Sequence, residues 1–275
     1  MARFLSHLRQ NRASLFFLLI ALFTLIACAF RTLALFFSFD ADIGYFHSPS
    51  AIAALADVSL LVCIILSVAV SFLINKEVAS REESTLVAPR FAAAAATALT
   101  LSIAALFTLL RLEQIPAPTP LALLAAICLL ASAVYFLCRL CAVRPRAAAP
   151  LGFFVIFGAA LVLAITYLDR YTQMNAPHKI SLHLCMLAIM LAMLYEQRTN
   201  LERHSPRACV AVTTLAAAVC TIYALSNTLA FLVGVYSNVM YFLFDLVALG
   251  FAAYFVTKSI RLALIHIAEK TEVEQ

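Results

Sequence analysis

The sequence predicts an all-α, polytopic membrane protein: a single integral domain over residues 1–275, built as a bundle of eight transmembrane helices with both termini cytoplasmic. Three observations carry this. Hydrophobic residues are 65% of the chain and charged ones 12%, with a mean hydropathy of +1.01, and a water-facing surface needs more polar side chains than that. The apolar residues gather into eight runs of about 18–25 residues, each able to cross a hydrocarbon layer of ~30 Å at 1.5 Å per residue. When these runs alternate across the membrane, fifteen of the nineteen Lys and Arg fall on one face, three on the other and one inside, the asymmetry that marks a cytoplasmic side.

Each run follows from its flanks. Residues 14–37 come after Arg3, Arg9 and Arg12, which hold the N-terminus inside. Residues 51–73 follow an outside loop with Asp40 and Asp42 and no cation, and Lys76, Arg81 and Arg90 precede the third run, 91–112. A Pro-rich link, Pro116 to Pro120, leads to the fourth, 121–143, which ends inside at Arg139, Arg144 and Arg146. The fifth, 151–168, leads outside to Asp169, Arg170 and Lys179; the sixth, 180–195, ends inside at Arg198, Arg203 and Arg207. The seventh, 208–235, turns tightly at Tyr236 and Ser237 into the eighth, 238–256, whose tail is held inside by Lys258, Arg261 and Lys270. A lipoprotein-like stretch ends at Cys28, but apolar sequence continues to Phe37 where a cleaved signal gives way to polar residues, so an intact first helix is expected.

The net charge of +5 does not indicate nucleic acid, because the cations stand in threes at helix ends. The lipid bilayer of the cell membrane is the expected surrounding. All eight cysteines lie in or beside apolar runs, which argues against a disulfide framework, and the lone pair Cys138 and Cys141 lacks the second pair of a zinc site. No metal, cofactor or catalytic residue is expected: Glu82 and Glu83 sit in an inside loop, and no nucleophile-elbow, zinc-protease or phosphate-loop motif occurs. No motif ties the chain to a family.

Burying an ionisable side chain in hydrocarbon costs at least ~2.5 kcal/mol, so such residues are functional candidates. Arg31 and Asp57 each lie six residues from the outer ends of their helices, about 9 Å deep. Asn227 and Asp245 stand nine residues either side of Tyr236, level on adjacent helices, with Tyr223 and Tyr241 one turn away on the same faces. His183 is shallower. These seven gather in the outer third, whereas the inner half holds no charge until the helix ends. Each has a plainer reading as an ion pair, interhelical hydrogen bond or interfacial aromatic.

The set predicts an outward-facing pocket for a small polar or zwitterionic ligand, on a sensor or accessory subunit that signals through a membrane or cytoplasmic protein partner. A small-solute secondary transporter is the alternative, weakened because the nine prolines read as lying in loops or at helix ends rather than breaking helices at mid-membrane. An outer-leaflet intramembrane enzyme is the third reading, and the sequence points away from it.

Overall fold

Helix formation outruns the apolar runs that predict it. The computed structural model describes residues 2–40, 44–46, 50–74, 89–109, 119–141, 145–170, 172–173, 175–201, 205–235 and 237–274. The loop with Glu82 and Glu83, the link at 115–118, Arg111 and Tyr236 lie outside them. The helices are α1 (Ala2–Phe37), α2 (Ala51–Leu73), α3 (Pro89–Leu109), α4 (Thr119–Leu140), α5 (Pro145–Leu168), α6 (Pro177–Asn200), α7 (Pro206–Leu232) and α8 (Val239–Glu274). Among the described residues, seven are long and apolar enough to cross a membrane, and α3 contributes a shorter apolar stretch, Ala92–Ala104. A two-stranded antiparallel pair, β1 (Phe39–Asp40) and β2 (Tyr45–Phe46), follows α1 where only a loop is expected, with Phe39 opposite Phe46 and Gly44 at φ +79° in the turn.

Several boundaries differ from expectation for local reasons. Apolarity marks where a helix is buried, not where it stops, so α1 starts near the N-terminus and α8 runs well past residue 256. α5 begins at Pro145 and carries Pro150 inside it, correcting the expectation that every proline lies in a loop or at a helix end; so near the N-terminus, proline forfeits a single intrahelical bond. The α7–α8 link is longer than a two-residue turn. Gly234, at φ +87°, lets its own N–H reach Phe231 O (3.0 Å) and that of Val235 reach Ala230 O (2.8 Å), which closes α7 at Leu232. Asn238 Oδ1 then accepts from the backbone N–H groups of Met240 and Tyr241, starting α8.

Helices α3 to α8 pack in chain order into a ring that α8 closes by returning to α3, and α8 also reaches across it to α6. α1 and α2 dock outside the ring: both touch α7, and α1 also touches α8. Burial grades accordingly, from 28% of the spanning window in α1 and α2 to 67% in α7 and 61% in α8. The interior is floored by alanine and filled by aromatic rings, with Phe136 edge-on to Tyr135, Phe251 and Tyr254. Leu18, Leu25, Leu61 and Ile65 are exposed outside, the arrangement a hydrocarbon solvent allows. Close helix approach depends on glycine at two places, since a Cβ at Gly250 of α8 would press on Leu99 of α3, and one at Gly152 of α5 would overlap the Gln197 amide of α6.

Ser50 caps α2 by accepting from Ala53 N at 3.2 Å. Ser50→Ala is expected to cost about 1 kcal/mol, read as a lower unfolding midpoint in detergent.

Candidate functional site

One end of the bundle carries the β hairpin, the end of α1 and the start of α6; the other carries both chain termini. Polar side chains are buried in a layer near each end.

At the hairpin end the layer begins with α1. Arg31 is 5% exposed; its Nη2 donates to Pro177 O at 3.2 Å, and its guanidinium lies 4.9 Å from the Phe46 ring and 5.3 Å from the Tyr223 ring. Its Nε is buried without a hydrogen-bond partner among the described residues. One turn above Tyr223 on α7, Asn227 uses its Nδ2 to donate both to Ser181 Oγ (3.0 Å) and to Asp245 Oδ1 (3.2 Å), while its Oδ1 is buried and unpartnered among the described residues. On α8, the Tyr241 hydroxyl donates to Asp169 Oδ2 at 3.0 Å, and its ring meets that of His178 edge-on at 4.5 Å. Lys179, fully buried, donates to the carbonyls of Asp169 and Thr172. The fold forces this convergence, since α6 starts where α5 ends and α7 lies between α1 and α8.

Of the seven expected site residues, Asn227 and Asp245 bond directly, Tyr223 and Arg31 are in ring contact, and Tyr241 joins the same layer through Asp169 and His178. His183 is half-buried and bonds Thr166 Oγ1 at 2.8 Å, apart from them. Asp57 is exposed but lies within electrostatic range of Tyr223; no hydrogen bond or ion pair joins it to Arg31 among the described residues, so the plainer reading of the two as an ion pair is not seen. The buried face of α2 runs through Ala56, Ser59, Cys63, Ser67 and Val70, and Asp57 lies about 100° round the helix from Ala56. Nor does Arg31 ion-pair with Asp245 among the described residues. Sequence reasoning missed His178 and Lys179, because Pro177 opens α6 a turn before its apolar run and so carries them into the helix, and it missed Ser181, a small neutral residue inside that run with no charge to mark it.

The layer at the termini end was not anticipated at all. Glu196, 2% exposed on α6, accepts at Oε1 from the hydroxyls of Tyr135 (2.6 Å) and Tyr254 (2.7 Å), and at Oε2 from Lys258 Nζ (3.0 Å). Gln197 and Asn200 donate in turn to the Tyr135 oxygen, and Asn200 also to Gln197 Oε1. Arg139 of α4 lies beside this hub with its Nη1 buried and unpartnered among the described residues. The inner half was expected to hold no charge until the helix ends; what differs is the end itself, since α6 continues through Asn200 and draws its last polar turn into the ring.

No disulfide joins any of the eight cysteines, and no group of three metal-ligating side chains occurs among the described residues. Chemically, the hairpin-end layer offers a guanidinium walled by rings, a carboxylate and a buried amide oxygen, a set suited to recognition by charge and hydrogen bonding. Compared with known proteins, the chain matches no family model, no curated protein and no solved structure.

Proposed function

We propose that this chain is a cell-membrane protein of eight spanning helices, both termini cytoplasmic, that binds a small polar solute carrying an anionic group at the hairpin end of the bundle, in the manner of a sensor or accessory subunit. The observation behind this is Arg31. A guanidinium so deeply buried is costly unless compensated, and among the described residues its contacts are one carbonyl and two aromatic rings. The Asn227 oxygen and Asp245, one turn beyond Tyr223, supply acceptors for a cationic or N–H-bearing part of the same solute. A zwitterion would use both. The signal then passes to a separate protein partner.

The test is thermal unfolding of the purified protein against a panel of amino acids, small carboxylates and phosphate esters. A solute at a hundred times its Kd adds about 2.7 kcal/mol to stability, a clear rise in midpoint. Arg31→Met is expected to lose that rise, whereas Asp57→Asn keeps it. An equal rise in Arg31→Met defeats the proposal.

The alternative, a secondary transporter, draws support from the second buried ionisable layer, Glu196 with Lys258, at the far end of the same ring. Two such layers around one axis suit a solute path closed at alternate ends. Accumulation of the stabilising solute in proteoliposomes distinguishes it from a sensor.

A further inference from the structure

Beside the termini end, a groove of about 480 Å³ opens on the outer surface between α1, α7 and α8. Its floor is the buried Ala217 and Ala218, its walls carry the small Ala21 and Ala263, and its lips are the exposed Leu18, Leu25, Ile260 and Leu264. Small residues on a spanning helix ordinarily let another helix approach, yet here no described segment of the chain fills the space they leave. The wall is mostly apolar: apart from Ser14 at the shallow end, its hydroxyls, those of Thr24, Thr214, Thr221 and Ser259, each donate to the carbonyl four residues back on their own helix.

Depth and charge identify the occupant. The groove runs along α1 from Ser14, where the apolar run begins, to Leu25, about 16 Å at 1.5 Å per residue, roughly half of the ~30 Å hydrocarbon thickness. It is one leaflet deep and open to that leaflet. At its shallow end the same three helices carry Arg9 and Arg12, Arg207, and Arg261, with no Asp or Glu in residues 2–25, 206–221 and 246–264; the acids Glu269, Glu272 and Glu274 lie beyond the groove on the continuation of α8. We infer that this groove seats one acyl chain of an anionic phospholipid from the leaflet at the termini end. The chain fills the space over the alanines, and the headgroup stands at the level of the arginines. This is independent of the solute site and of the choice between sensor and transporter.

The experiment is native mass spectrometry of the full-length protein after reconstitution into vesicles of equal phosphatidylglycerol and phosphatidylcholine with identical chains, followed by extraction in mild detergent. The wild type is expected to retain one phospholipid, phosphatidylglycerol in excess. Ala21→Phe, and Ala263→Phe from the opposite wall, are expected to lower the retained lipid about tenfold, the loss expected when a groove-filling ring displaces a few buried methylenes. Leu61→Phe, on the exposed surface of α2 away from the groove, retains it as the wild type does. Removing two cations with Arg9→Gln and Arg12→Gln keeps a lipid bound but erases most of the preference, at about fivefold per arginine. The inference is overturned by a wild type without lipid or by retention that neither groove-filling variant lowers. It also falls if the wild type is a dimer that both variants split, which assigns the groove to a second copy of the chain.

Discussion

Glu196→Ala is expected to destabilise the folded protein by about 3–5 kcal/mol, the cost of removing one partner from a buried ion pair. The carboxylate gathers two phenols from α4 and α8 and the Lys258 ammonium onto α6, so its loss strands three donors at once in a region with little access to water. In detergent this appears as a fall of roughly 10 °C in the unfolding midpoint. Glu196→Gln falls between, because an amide oxygen still accepts from the phenols but provides no counter-charge for Lys258. The double variant Glu196→Leu with Lys258→Met recovers only the part due to the uncompensated ammonium, because the Tyr135 and Tyr254 hydroxyls still lack their acceptor. If Glu196→Ala unfolds within about 1 kcal/mol of wild type, the hub is open to solvent and does not hold α4, α6 and α8 together.

Gly152→Val is expected to cost about 1–3 kcal/mol through overpacking, against a gain in helix propensity of a few tenths. The added carbons enter the space of the Gln197 side chain, which is fully buried and tied to both Tyr135 and Asn200. A flexible glutamine on a surface would swing away; this one can move only by breaking those bonds. Gly158→Ala is the matched control on the same helix. Its Cβ would lie 3.4 Å from that of Cys128, an ordinary contact, and the propensity gain of about 1 kcal/mol then makes it neutral or mildly stabilising. Reversal of the two results would place the tight approach of α5 at Cys128 and not at the polar hub.

The long apolar helices were legible because hydrocarbon demands a long apolar run for each crossing, and the runs at 51–73 and 151–168 end where α2 and α5 end. The meeting of Asn227 and Asp245 was legible for a different reason: equal spacing either side of a turn brings residues level, even though the turn itself, with Gly234 and Asn238, is longer than the expected pair. What could not be read was which way α2 faces. Lipid and protein interior are both apolar, so the periodicity that separates wet from dry faces in a soluble helix is missing, and Asp57 carried no mark of its exposure. Glu196 was hidden by the opposite error. The charge of Glu196 reads as the end of the sixth run, although Glu196, Gln197 and Asn200 lie within about one turn of α6 and no proline or glycine intervenes before Pro206.

The central place of α7 bears on how the protein is made. α1 and α2 leave the ribosome first, but α7, the helix that seats both, is synthesised after α3 to α6. Until then the first two helices wait in the bilayer with only each other for company, and the small-residue face that α7 will cover stays open to lipid or to an insertion factor. Interruption of synthesis before residue 206 should therefore release a product whose first two helices drift apart from the rest, a target for membrane quality control.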